Sequence, residues 1–129
     1  NVPYVEGAEE FLKRYAMLYK IFVVSATPHK ELSSIIKKRG LRGYFHNVYG
    51  APRRKTILVR NIIRDNKLTN RELVYIGDAL SDYEAAEANS VEFIARINNN
   101  DELFYGKTIR FKVKDLATLK KILEKAGKG

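Results

Sequence analysis

Short apolar runs alternate along the chain with stretches whose apolar residues recur at helical spacing. After an irregular start, Val2 to Gly7, positions Ala8, Phe11, Leu12, Tyr15 and Leu18 trace one face of a helix. The continuous run Ile21 to Val24 predicts a strand. Thr27 as N-cap and Pro28 at the first helical position then open a second helix, which buries Leu32, Ile35 and Ile36 and stops at Gly40 after a basic last turn. A loop from Gly43 to His46 leads into a short strand at Asn47 to Tyr49, broken by Gly50-Ala51-Pro52. The next helix spans about Arg53 to Asp65, with Leu58 and Ile62 on its apolar face.

Leu73 to Ile76 carries Val, Tyr and Ile in a run that suits a strand buried on both faces. Gly77 permits a sharp turn, and Ser81 with Glu84 reads as a capping box that starts another helix. The small residues Ala85, Ala86 and Ala88 let that helix lie close to a sheet. Val91 to Ala95 forms a further strand, 98–106 a polar loop, and 108–113 a short edge strand. Asp115 caps a last helix carrying Leu116, Leu119, Ile122 and Leu123. Strands separated by helices, without Asn-Gly hairpins, predict an α/β protein with a parallel sheet and right-handed crossovers. The 129 residues are read as one domain, with no internal repeat.

Composition narrows the class without setting the chemistry. Hydrophobic residues make up 45% and the mean hydropathy is −0.34, values of an ordinary soluble globular protein. No apolar run reaches membrane-spanning length and no signal peptide is present, so a cytoplasmic location is expected. The absence of Cys removes disulfides and thiolate metal sites. A formal net charge of +9 favours anionic partners. The basic residues are nevertheless scattered in small groups, Lys37-Lys38-Arg39, Arg53-Arg54-Lys55 and Lys120-Lys121, without interleaved aromatic residues, which argues against nucleic acid.

Candidate chemistry sits where strands end. Asp78 follows the Leu73 strand directly and Asp82 stands four residues on, in the first helical turn. Two hard oxygen donors converging on one spot suit Mg²⁺, with water and phosphate completing its shell. The same two residues also fit a purely local role, capping the helix and countering its dipole. Ser25 ends the first strand with a hydroxyl, and the N–H groups of the helix opened at Pro28 form an anion site beside it. Lys55 brings an ammonium at the start of the third helix, with Arg53 and Arg54 as rivals. Each has a plain alternative: Ser25 as a turn residue, Thr27 as a cap, Lys55 as a solvated lysine. His29 and His46 read as surface or structural residues. Hydroxyl, helix N-terminus, lysine and Mg²⁺ meeting on one rim would make a phosphate site.

Ser25 at a strand end, Lys55 opening a later helix, and Gly77-Asp78 with Asp82 resemble, in order and spacing, motifs two, three and four of the haloacid-dehalogenase-like phosphohydrolases. The local texts Val24 to Pro28, Tyr49 to Pro52 and Tyr75 to Asp78 are similar to the phosphoglycolate-phosphatase-like branch. The resemblance implies a three-layer α/β/α Rossmann-like core and a Mg²⁺-dependent phosphomonoester hydrolase acting on a small phosphorylated metabolite. It implies that Ser25, with Ala26, Thr27 and Lys55, binds the substrate phosphate. It also implies that Asp78 ligates Mg²⁺ and that Asp82 ligates it or orients its waters. The family reaction passes through an aspartyl-phosphate.

The family's first motif, a strand ending in Asp-x-Asp-x-Thr, has no counterpart. The chain's five Asp residues are Asp65, Asp78, Asp82, Asp101 and Asp115, and none stands in such a setting. The resemblance therefore implies that the central first strand, the nucleophile and any cap domain are missing. Residues 1–129, which begin with Asn1 rather than Met, are read as a core fragment holding motifs two to four of a larger phosphatase. The alternative is a nucleophile-free relative serving as a phosphate-binding, regulatory or protein-interaction module. A missing central strand would leave open edges through which the chain self-associates.

Overall fold

The structure is a computed structural model that describes residues 8–97, 104, 106, 107 and 109–128. The expected irregular segment at Val2 to Gly7 and most of the polar loop 98–106 lie outside the described residues. The chain divides into two compact units, residues 1–58 and 59–129, with the division falling inside a helix.

In the first unit, α1 (Ala8–Tyr15) precedes β1 (Phe22–Pro28), α2 (His29–Lys38) and β2 (Asn47–Ala51). α3 (Lys55–Asp65) begins at Lys55, two residues later than the sequence pattern suggests. β1 and β2 pair in parallel, and α2 packs on both. Leu32 and Ile36 of α2, Leu41 and Val48 form the buried cluster, flanked by Leu12, Val23, Tyr44 and Phe45. Gly40 closes α2 at φ +68°, a value that glycine adopts without strain. The Gly40 and Leu41 N–H groups then bond back to the Lys37 and Ile36 carbonyls.

Two expectations need correction here. The helical face stops at Tyr15, and Leu18 is 65% exposed. The Met17 and Leu18 N–H groups bond to carbonyls three residues back, and this tighter pitch turns the chain and carries Leu18 off the buried face. β1 also continues to Pro28 instead of ending at Val24, so Thr27 lies in the strand and the N-cap position of α2 falls to Pro28. The register explains the difference: Val24 pairs with Tyr49 and Pro28 with Ala51, so the longer stretch on β1 bulges through Ser25 to Thr27. α2 starts at His29 behind Pro28, with no side-chain cap.

The second unit holds β3 (Val74–Gly77), α4 (Leu80–Ala88), β4 (Glu92–Arg96), β5 (Phe111–Val113) and α5 (Leu116–Lys128). The strands lie side by side in the order β3-β4-β5, all parallel, with Gly77 level with Ala95 and Arg96 level with Val113. Ala85 and Ala86 are fully buried where α4 packs on β3 and β4, as their small size predicts. Phe93 centres an aromatic cluster with Tyr75, Tyr83 and Phe104 at ring separations of 5.8 to 6.1 Å. Asp115 caps α5 as expected, its carboxylate accepting from the Thr118 N–H and hydroxyl at 2.8 Å.

β3 departs from its expected burial on both faces. Tyr75 points into the core, whereas Val74 and Ile76 on the other face are 38% and 40% exposed. The Ser81–Glu84 capping box does not form either. The cap lies two residues earlier, with Ala79 as N-cap, Leu80 as the first and Asp82 as the third helical residue. Among the described residues, β1 pairs only with β2, and β3 only with β4.

Candidate active site

The turn after β3 is built around the carboxylate of Asp82. Its Oδ2 accepts from the Ala79 N–H at 3.1 Å, which closes the first turn of α4 from inside the helix. Its Oδ1 accepts from the Tyr75 hydroxyl at 2.6 Å, a short contact typical of a charged acceptor. The side chain lies so close to Gly77 that a Cβ there would stand 2.5 Å from Asp82 Cβ, Cγ and Oδ2. Gly77 is therefore needed for the space it leaves, and its backbone, still in the strand, has no positive φ that the turn would demand of glycine. Asp82 is only 6% exposed. Burial, followed by the hydrogen bond to Asp82 and the charges of Asp82 and Asp78, pushes the Tyr75 hydroxyl far above the ordinary tyrosine range.

Asp78 has a different setting, exposed at the carboxyl end of β3. Its ion partner is Arg96 at 3.9 Å, a long, half-exposed pair that contributes little to stability. The two carboxylates therefore have distinct surroundings: Asp82 is turned inward with both oxygens accepting hydrogen bonds, and Asp78 faces outward. Among the described residues, no three His, Cys, Asp or Glu side chains gather as a metal site. Mg²⁺ is commonly held by one or two carboxylates, with water and phosphate in its other positions. The donor set fits it with Asp78 as the direct ligand. Asp82 fits the outer role of fixing the turn.

In the first unit, Ser25 lies in the β1 bulge and is 8% exposed. Its Oγ accepts from the Thr27 N–H at 3.1 Å, a local turn that leaves the hydroxyl proton as a donor. Ala26 is exposed and Thr27 half-buried beside it. Gly50 of β2 presses against this segment, since a Cβ there would stand 2.7 Å from Thr27 O and His29 Cα. Lys55 is the first residue of α3 and half-buried. His29 and His46 are exposed, and His46 stacks edge-on with Phe22 at 5.3 Å. Thus Ser25, Ala26, Thr27 and Lys55 belong to one unit, and Asp78 with Asp82 to the other. Sequence reasoning missed Tyr75, whose apolar neighbours mark it as a core residue. Its place seven residues before Asp82, across a strand-turn-helix corner, was the available signal.

A sequence model of the family described as haloacid dehalogenase-like hydrolase matches residues 1–96. No curated protein sequence matches the chain. Among solved structures, the chain is similar to a predicted phosphatase from Clostridium acetobutylicum, with TM-score 0.84, 21% identity and coverage of 92% of this chain and 59% of that one. It is also similar to a haloacid dehalogenase-like family hydrolase from Streptococcus pneumoniae, with TM-score 0.82, 12% identity and coverage of 93% and 59%. A third is the core domain of a provisionally assigned phosphoglycolate phosphatase from Streptococcus pneumoniae TIGR4, with TM-score 0.72, 20% identity and coverage of 93% and 87%. The chain thus spans little more than half the length of the first two.

Proposed function

The chain belongs to the haloacid dehalogenase-like hydrolase family, and from that membership we propose that it carries the phosphate- and metal-binding parts of a Mg²⁺-dependent phosphomonoesterase acting on a small phosphorylated metabolite. The observation that carries this reading is the turn after β3, where exposed Asp78 stands beside a buried Asp82 whose oxygens are both engaged. That arrangement suits one carboxylate that meets a cation and one that holds the first in place. In this role Ser25 donates its hydroxyl proton to a phosphoryl oxygen while its own oxygen remains tied to Thr27. The α2 N-terminus, which no side chain caps, offers N–H groups to the same anion. Lys55 balances the phosphoryl charge, and Asp78 holds Mg²⁺ with Asp82 fixing its orientation. When bound, Mg²⁺ neutralises charge on the phosphoryl oxygens and orients the group for attack.

The family chemistry needs an aspartate whose oxygen bonds to phosphorus as the ester oxygen leaves. Water then cleaves the aspartyl-phosphate to carboxylate and inorganic phosphate. None of the chain's five Asp residues has the Asp-x-Asp-x-Thr setting of that nucleophile, so we assign it to polypeptide outside the 129 residues. The same observation favours a second reading, a phosphate-binding or regulatory module without chemistry. Reading the coding sequence upstream of Asn1 separates the two. An apolar strand ending in Asp-x-Asp supports the enzyme, and its absence removes the catalytic claim. The 129-residue chain alone, assayed with Mg²⁺ on a generic phosphate ester, should give negligible turnover. Robust turnover that Asp78→Ala abolishes would overturn the assignment of the nucleophile elsewhere.

A further inference from the structure

We propose that Tyr75 is a positioning residue: its hydroxyl pins Asp82, and through Asp82 it fixes the turn that presents Asp78. The placement of Asp82 rests on three independent constraints. Tyr75 Oη donates to Oδ1 at 2.6 Å, the Ala79 N–H donates to Oδ2 at 3.1 Å, and Gly77 leaves the space the carboxylate occupies. Two of these, Gly77 and Ala79, flank Asp78 directly in the chain. The backbone on either side of Asp78 is thus held by one carboxylate, and that carboxylate is oriented by one phenol. The phenol is itself immobilised, because Tyr75 is buried on β3 with its ring against Phe93 at 6.1 Å. A tyrosine at this core position also meets a need that a purely apolar residue would not. Without the Oη donor, a carboxylate only 6% exposed would lose the hydrogen bond that Tyr75 supplies at Oδ1.

The positioning step stands on this geometry alone. Its consequence for a cation at Asp78 rests on the reading proposed above, and the experiment separates the two. Tyr75→Phe keeps the ring and removes only the donor. Amide hydrogen exchange by NMR on the 129-residue chain should show the Ala79 amide exchanging several-fold faster in Y75F, because the oxygen that accepts its N–H belongs to a carboxylate no longer held at Oδ1. The Ile94 and Val113 amides of the neighbouring strands should hold their rates. Unchanged Ala79 exchange, or equal acceleration of all three amides, overturns the proposal, the second because it marks a general loss of stability.

Mn²⁺, a paramagnetic stand-in for Mg²⁺, should broaden the Gly77 to Ala79 amides in the wild type and not in Asp78→Asn. In Y75F the same broadening should need several-fold more Mn²⁺. A titration identical to wild type in Y75F, with D78N silent, overturns the claim that Tyr75 governs how Asp78 is presented. No broadening in the wild type overturns the metal reading and leaves the exchange result to decide the role of Tyr75. Should Y75F not fold, the wild type decides: a Tyr75 hydroxyl proton protected enough to be seen by NMR supports the pinned carboxylate, and a hydroxyl proton lost to rapid exchange with solvent overturns it.

Discussion

At the residue scale, the difference between Asp78 and Asp82 is one of surroundings, since the side chains are the same. Asp82 accepts from Tyr75 and Ala79 and is buried against Gly77, while Asp78 pairs, among the described residues, with Arg96 in a long, half-exposed contact. The contact with Gly77 leads to a firm expectation. Gly77→Ala places a methyl group 2.5 Å from the Asp82 side chain, so the carboxylate must leave its site or the turn must move. Overpacking of this kind costs about 1–3 kcal/mol, to be read as a lower urea midpoint at an unchanged slope. A G77A variant as stable as the wild type would show that the corner is looser than its geometry implies.

At the element scale, β1 and β2 are joined by a contact that leaves no room for a side chain. A Cβ on Gly50 would meet Thr27 O and His29 Cα at 2.7 Å, and these are backbone atoms that no rotamer change can move. Gly50→Ala should therefore destabilise the first unit and disturb the bulge at Ser25, seen as shifts of the Ser25 to Thr27 amide signals in a heteronuclear NMR spectrum. At the other end of the chain, hydrogen bonds from the Thr118 N–H and hydroxyl hold the Asp115 carboxyl below the usual carboxylate range. A carboxylate whose pKa is depressed by folding stabilises above its unfolded value, and that contribution is lost as pH falls through the folded one. Asp115→Ala should thus lower the melting temperature at neutral pH, with the gap to wild type closing in acid. A gap independent of pH would contradict this.

The same scale shows what the sequence could and could not reveal. Apolar runs such as Phe22-Val23-Val24 and the spacing of Leu32 and Ile36 announce their elements, because core burial imposes those periods. The end of β1 was hidden because register against β2, a long-range property, decides it. The start of α4 was hidden because its cap is Asp82, reaching back from inside the helix, while the pattern of Ser81 and Glu84 suggested a different box. The acidic pair was legible from its spacing after Gly77, but the difference in surroundings between its two members was not. It depends on Tyr75, which looks apolar in sequence and acts here through its hydroxyl.

At the scale of the whole molecule, the chain is an α/β protein of the haloacid dehalogenase-like family with its parallel strands in two sheets. The exposed face of β3 at Val74 and Ile76, and the unpaired edges of β1 and β3 among the described residues, are features of apolar strands with a side uncovered. The surplus of basic residues, a net charge of +9, suits the phosphate ester proposed as substrate. The most direct test is phosphatase activity of the protein expressed from its complete gene, assayed with Mg²⁺ for the wild type and for Asp78→Asn. The account predicts Mg²⁺-dependent turnover that falls by about a hundredfold or more in D78N, the scale of losing one electrostatic stabiliser of the transition state. Turnover that survives D78N, or that proceeds unchanged after chelation of divalent ions, would contradict it.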